Sequence, residues 1–138
     1  MIFVDTDVLI DLLRGYAPAI AWFESLGHAK VFLSGFTALE LLEGCRNRHE
    51  TERLLRFLAP HRIGWPAPRD FDRVLADLAF GRTAPKIGLT DALIGETAVG
   101  LDVPLHTFNV RHFRAIPGLF TAQPYLRRRN PGGHPCRP

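Results

Sequence analysis

Sulfur, serine and lysine are scarce in this chain of 138 residues, and each shortage removes a class of chemistry. The two cysteines, Cys45 and Cys136, have no C-x-x-C spacing, so neither a disulfide framework nor a zinc site shared with the six scattered histidines is encoded. Serine occurs only at positions 25 and 34, and no G-x-S-x-G is present, which excludes the nucleophile elbow of serine hydrolases. There is no P-loop and no G-x-G-x-x-G to cradle a nucleotide phosphate. No apolar run reaches the length of a membrane span. The opening Met1-Ile2-Phe3-Val4-Asp5 lacks the basic and long apolar regions of a secretory leader. A reducing, cytoplasmic setting is the expectation.

What is present is the composition of one globular domain, 46% hydrophobic and 22% charged. The formal charge is +3 and the pI about 9.3, which by themselves suggest a nucleic-acid binder. The excess has an address, however. Arg127, Arg128, Arg129 and Arg137 fall in the last twelve residues, which contain no acid. Setting these four aside from the 17 basic residues leaves 13 against 14 acidic ones, a net of −1 for residues 1–126. The body is therefore not basic. Residues 1–122 read as one domain and residues 123–138 as a disordered tail of Pro, Gly and Arg. Removing everything after Tyr125 is expected to leave the chemistry intact.

Short continuous apolar runs alternate with helical periods. Ile2–Val4, Val31–Leu33, a weak Ile63–Trp65, Val103–His106 and Leu119–Thr121 read as strands. Helices are expected over Val8–Leu13 (capped by Thr6 or Asp7), from Pro18 to Gly27, after Ser34, through Thr51–Leu58, over Phe71–Ala79, from a Thr90 cap to Gly100, and around Val110–Ala115. The stripe Phe71, Val74, Leu75, Leu78 is the cleanest helical period in the chain. Continuous rather than alternating strands imply a parallel sheet covered on both faces. The fold class is thus α/β, a three-layer α/β/α sandwich with about five parallel strands.

Such folds bind ligands beyond the C-terminal ends of their strands. Asp5 follows the first strand directly, Glu40 lies one turn into the helix after the second, and Asp91 sits in the first turn of the helix at Thr90. Asp5 and Asp91 each have an ordinary alternative as helix-start acids, and Glu40 as a surface residue. Gathered at one edge, the three would repel one another, and a divalent cation would remove that frustration. Mg²⁺ or Mn²⁺ takes oxygen ligands, keeps several waters, and supplies a nucleophile and charge neutralisation for a phosphodiester.

Val4-Asp5-Thr6-Asp7-Val8-Leu9-Ile10 resembles the opening of PIN-domain ribonucleases, especially the VapC toxins of VapBC-type toxin–antitoxin pairs. Phe36-Thr37-Ala38-Leu39-Glu40-Leu41-Leu42-Glu43-Gly44 is similar to their second motif. Gly88-Leu89-Thr90-Asp91-Ala92-Leu93-Ile94-Gly95-Glu96-Thr97-Ala98 is similar to the third. His106-Thr107-Phe108-Asn109-Val110-Arg111-His112-Phe113, with Ile116-Pro117-Gly118-Leu119 behind it, is similar to the fourth. The four come in family order across residues 2–121.

The resemblance implies a five-stranded parallel sheet and an Mg²⁺ or Mn²⁺ site held by Asp5, Glu40 and Asp91. It also implies cleavage of single-stranded RNA, a homodimer, and inhibition by a small VapB-type antitoxin whose tail fills the acidic groove. DNA would be reached only through the antitoxin, and no membrane is involved. Asn109 stands where many PIN domains have a fourth acid, and joins the candidate catalytic set. His112 stands where toxin relatives often have Asp. The missing charge favours a single metal ion. Thr6, Arg46, Lys86, Thr107, Arg111 and His112 are candidate RNA contacts, and Arg48, Arg82 and Arg114 are further cations near the same edge.

Two other readings stay open on the residues alone. Asp5-Thr6-Asp7-Val8 also resembles the start of haloacid-dehalogenase-type phosphatases, which need a later lysine and a paired-acid motif. A PIN-like module that binds RNA or protein without cutting is the other. Substitution of Asp5 or Asp91 separates an enzyme from a module.

Overall fold

In the computed structural model, described over residues 1–27, 31–80 and 87–127, five short strands form one parallel sheet in the order β3-β2-β1-β4-β5. They are β1 (Ile2–Val4), β2 (Val31–Ser34), β3 (Arg62–Gly64), β4 (Leu105–His106) and β5 (Thr121–Ala122). The helices among the described residues are α1 (Thr6–Leu13), α2 (Ala17–Ser25), α3 (Gly35–Glu43), α4 (Arg48–Leu58), α5 (Pro68–Phe80), α6 (Leu89–Leu101) and α7 (Val110–Phe113). This is the parallel α/β sandwich expected from the alternating apolar runs.

Side chains of a strand alternate between faces, and β1 shows how that divides the core. Phe3 packs with Leu105, Ala92, Ile94, Ala98, Phe113 and Ile116, beneath α6 and α7. Val4, the next residue, packs with Val8, Leu9, Leu33, Leu41 and Leu54, beneath α1, α3 and α4. Each of these side chains larger than alanine contributes about 1.5–3 kcal/mol on burial. Gly95 is required for the close approach of α6: a Cβ there would stand 2.2 Å from Ile116 Cδ1.

The strand order carries the functional consequence. β1 pairs with β2 on one side and with β4 on the other, so the sheet reverses direction of winding at β1. A crevice opens beyond the strand ends at such a switch point. Asp5 and Thr107, the residues directly after β1 and β4, both stand there.

Several local expectations are corrected. The cap of α1 is Asp5, whose carboxylate accepts from Thr6 N–H, rather than Thr6 or Asp7. Gly88, not Thr90, precedes α6, and no side chain caps it. The last strand lies at 121–122 rather than 119–121, because β4 has its partners there. The clean apolar stripe of α5 faces outward: Phe71, Leu75 and Leu78 are exposed, and only Val74 joins the core. Apart from Val74, the face that α5 turns to α6 is polar. Buried Asp70 and Glu96 are both bonded there by Arg73. Finally, Tyr125 and Arg127, read from sequence as tail, lie against α1. Residues 128–138 are outside the described residues.

Candidate active site

Asp5 is 5% exposed and is held by two donors. Thr6 N–H gives to Oδ1 at 2.8 Å, and the Thr107 hydroxyl gives to Oδ2 at 2.7 Å. The same Thr107 oxygen accepts from Asn109 N–H at 2.9 Å, so one hydroxyl ties the end of β1 to the turn after β4. Thr107 is fully buried. It was a candidate RNA contact; its hydroxyl is consumed in holding Asp5.

Glu40 is half-buried and reaches the same place through α1: the Thr6 hydroxyl donates to its Oε2 at 2.5 Å. The leucines beside it do not enclose it. Leu41 is buried, but Leu39 is half exposed on the outer face of α3. Thr6, another candidate RNA contact, thus bridges two acids, with its backbone on Asp5 and its side chain on Glu40.

Asp91, in the first turn of α6, stands near His112 of α7, with Oδ2 3.8 Å from Nδ1. His112 Nδ1 is also 3.0 Å from Asn109 Nδ2. Asn109 and His112 thus form a side-chain pair beside Asp91.

The electrostatics single out Asp5. Burial, followed by repulsion from Asp7, pushes its carboxyl from 3.8 up to about 7, against the pull of its bonds to Thr107 and Thr6, and Asp91 adds to the rise. Burial also raises Asp91, which His112 offsets. Asp7 was seen in the sequence only as a possible cap, yet it belongs to the site. Its Oδ2 accepts from Phe108 N–H at 3.0 Å, while its buried Oδ1 has no hydrogen-bond partner among the described residues. Burial raises it too, and the Phe108 N–H and the Arg127 charge pull it back. The Asp5-x-Asp7 spacing was the available signal.

The remaining cations are not drawn in. Arg46 and Arg48 are exposed and pair along α4 with Glu50 and Glu52, at 3.3 and 2.7 Å. Arg111 and Arg114 are exposed on and just after α7. Lys86 and Arg82 lie outside the described residues.

A divalent cation fits this set electrostatically. Burial raises Asp5, Asp7 and Asp91 alike, Asp7 and Asp91 add to the rise at Asp5, and no described basic side chain pairs with Asp5. Among the described residues no three His, Cys, Asp or Glu side chains form a cluster that could hold a metal ion as they stand. An ion that keeps several waters of its own does not need a closed cage.

A parallel sheet with acids at its switch point does not by itself name a family, and comparison with known proteins does. The PIN domain family matches residues 2–119. Ribonuclease VapC10 of Mycobacterium tuberculosis is 38% identical over 116 residues, covering 82% of this chain and 86% of the relative. Ribonuclease VapC19 of the same organism is 32% identical over 121 residues, 84% of this chain and 94% of the relative. A toxin–antitoxin complex from Klebsiella pneumoniae contains a chain 28% identical with a TM-score of 0.73, covering 91% of this chain and 98% of that one. The chain of a FitAB structure bound to a DNA fragment superposes with a TM-score of 0.77 at 22% identity, over 94% and 99%, which speaks for the fold alone. The chain belongs to the PIN domain family. Its place within that family is with the VapC ribonucleases, and not with the phosphatases that its opening also resembles. No helix among the described residues is long and apolar enough to cross a membrane.

Proposed function

We propose that the protein is a divalent-metal-dependent endoribonuclease that cuts single-stranded regions of RNA as the toxin of a toxin–antitoxin pair. The observation that carries the reading is Asp5: a carboxylate buried at the switch point, held by Thr107 and Thr6, repelled by Asp7 and Asp91, and left without a basic partner among the described residues. Mg²⁺ or Mn²⁺, held by Asp5, Asp91 and Glu40, would supply an activated water and neutralise charge on the phosphodiester.

The chain's own residues do the rest. Thr107 and Thr6 fix Asp5 so that it meets its cation without rearrangement. Asn109 presents an amide rather than a fourth carboxylate, which leaves charge for one ion per chain. The pair Asn109–His112 orders the rim beside Asp91. The substrate is reached in the cytoplasm.

The relatives' complexes support a cognate VapB-type antitoxin as inhibitor, with DNA contacted through that partner. The outward stripe Phe71, Leu75 and Leu78 supports a homodimer, since an apolar face of this kind is the usual mark of a protein contact. Sedimentation of Leu75→Glu as a monomer beside a dimeric wild type would bear this out.

The decisive test is sequencing of the 5′ ends of RNA fragments after induction, wild type against Asp5→Asn, together with cleavage in vitro with and without chelator. Discrete new 5′ ends are expected only for the wild type, with a drop in rate of about 1,000-fold or more for the variant, as for other members of a catalytic unit. Equal cleavage by Asp5→Asn, or cleavage indifferent to chelator, would overturn the reading. Calorimetric titration with Mn²⁺ should show one tight site.

A further inference from the structure

The sequence reading ended the functional body before Gln123. The structure places two residues beyond that point on the rim of the acidic crevice. Arg127 Nε donates to Asp11 Oδ2 at 2.9 Å, Nη2 donates to the Asp7 carbonyl oxygen at 3.2 Å, and the guanidinium carbon lies 3.9 Å from the centre of the Phe108 ring. The Tyr125 hydroxyl donates to the same Asp11 oxygen at 2.8 Å, and its ring meets Phe108 edge-on at 4.8 Å. Tyr125 also faces Trp22 of α2 at 6.1 Å.

Phe108 is where this matters. It lies in the turn between β4 and α7. Its own N–H is spent on Asp7, and the next N–H, of Asn109, is spent on the Thr107 hydroxyl that holds Asp5. Asn109 has an irregular backbone, φ −88° and ψ 38°, and its side chain makes no cap bond to α7, which is only four residues long. Regular structure therefore does little to hold this turn. Asp7 and Asp11 are one helical turn apart on α1, so they share a face, and Arg127 spans both while covering Phe108.

We propose that Tyr125 and Arg127 form a clasp that holds the Phe108–Asn109 turn against α1, which makes Arg127 a positioning residue for the cleavage site. The inference rests on the ribonuclease reading for its effect on rate, though the clasp itself does not. Arginine suits the role because one planar fork bonds a carboxylate and a carbonyl while stacking on a ring; lysine offers only a point charge. The guanidinium is engaged by Asp11 and Phe108, so it acts through the turn and not on the substrate.

The test uses the full chain with Mn²⁺ and a pool of short single-stranded RNA oligonucleotides. Arg127→Ala should lower kcat by about 10–100-fold, the scale of a misplacement near 1 Å, with KM within about threefold. Arg127→Lys should recover part of the rate, and Tyr125→Phe should lose about threefold, the cost of one modest hydrogen bond. A chain ending at Arg127 should cleave as the full chain does, whereas one ending at Tyr125 should behave like Arg127→Ala. Amide exchange at Phe108 and Asn109 should quicken in Arg127→Ala while β1 and β2 stay protected.

A wild-type kcat in Arg127→Ala would overturn the clasp. So would a loss confined to KM with a shallower salt dependence, which would make Arg127 an RNA contact. Unchanged exchange at Phe108 and Asn109 would overturn it as well. Should Arg127→Ala lose protection throughout, Arg127→Lys and Tyr125→Phe carry the same comparison. If the wild type itself cleaves nothing, the ribonuclease reading falls while the exchange measurement still decides the clasp.

Discussion

Between α5 and α6, Glu96 is 1% exposed and Asp70 is 4% exposed, and the Arg73 guanidinium bonds both. Burial pushes the Glu96 carboxyl up, the bond from Arg73 pulls it back, and Asp77 at the margin pushes it up again. At the end of β1, Asp5 is equally buried, yet hydroxyl and amide donors are all it has among the described residues. The residue types are the same in the two places. The first set is answered by a cation from within the chain and serves packing; the second has no such answer among the described residues. Buried carboxylates alone do not mark a site, and the identity of their partners separates scaffold from chemistry.

Removing the internal answer should destabilise the protein. Arg73→Ala leaves Glu96 and Asp70 buried without their cation and should cost about 3 kcal/mol, toward the lower end for a broken buried pair because the guanidinium is 37% exposed. Urea unfolding measures it. A loss below about 0.5 kcal/mol would mean that the two clusters are not different in kind.

Asp5→Asn should do the opposite. With its folded pKa raised from 3.8 to about 7, Asp5 costs nothing below about pH 4, where folded and unfolded chains are both protonated. As pH rises from there to about 7, the unfolded chain gives up its proton first and stability is lost; above that the deficit is constant. In chelator at pH 8 the variant should therefore be the more stable protein, by up to about 4 kcal/mol less what the weaker amide acceptor costs, with the gap closing near pH 4. Mn²⁺ should close it from the other side by stabilising only the wild type. Thermal melts across pH check both, and a gap independent of pH would sink the account.

The smallest effect is expected at Thr6. Thr6→Val keeps the N–H that caps on Asp5 and removes the hydroxyl on Glu40. It should cost about 1 kcal/mol or less in stability and about fivefold in cleavage rate. An unchanged rate would place Glu40 outside the working set.

Most of the fold was legible because its signals are local. Ser34 ahead of Phe36, Pro18 in the first turn of α2, and apolar runs broken by Gly and Pro each name an element without tertiary context. Asp5, Glu40 and Asp91 were legible because a parallel sheet brings its strand ends together. What was not legible depends on pairing at a distance. Phe71, Leu75 and Leu78 have the period of a buried helix, but the face that packs on α6 is chosen by Asp70 and Arg73 meeting Glu96, a match 23 residues away for Arg73. Thr107 reads as a polar loop residue until its hydroxyl is seen on Asp5. Arg127 reads as one more arginine in a basic tail until Asp11 and Phe108 are placed beneath it.

The bond between Thr107 and Asp5 joins residues 102 apart in sequence. Closing so long a loop is entropically costly, and the partners that reward it, β4 between β1 and β5, lie in the last quarter of the chain. During synthesis Asp5 emerges first and waits for nearly the whole polypeptide before its surroundings exist. A chain interrupted between Asp91 and β4 carries all three acids and still lacks the strand that closes the crevice. The topology thus acts as a timing device: the acidic crevice is assembled last.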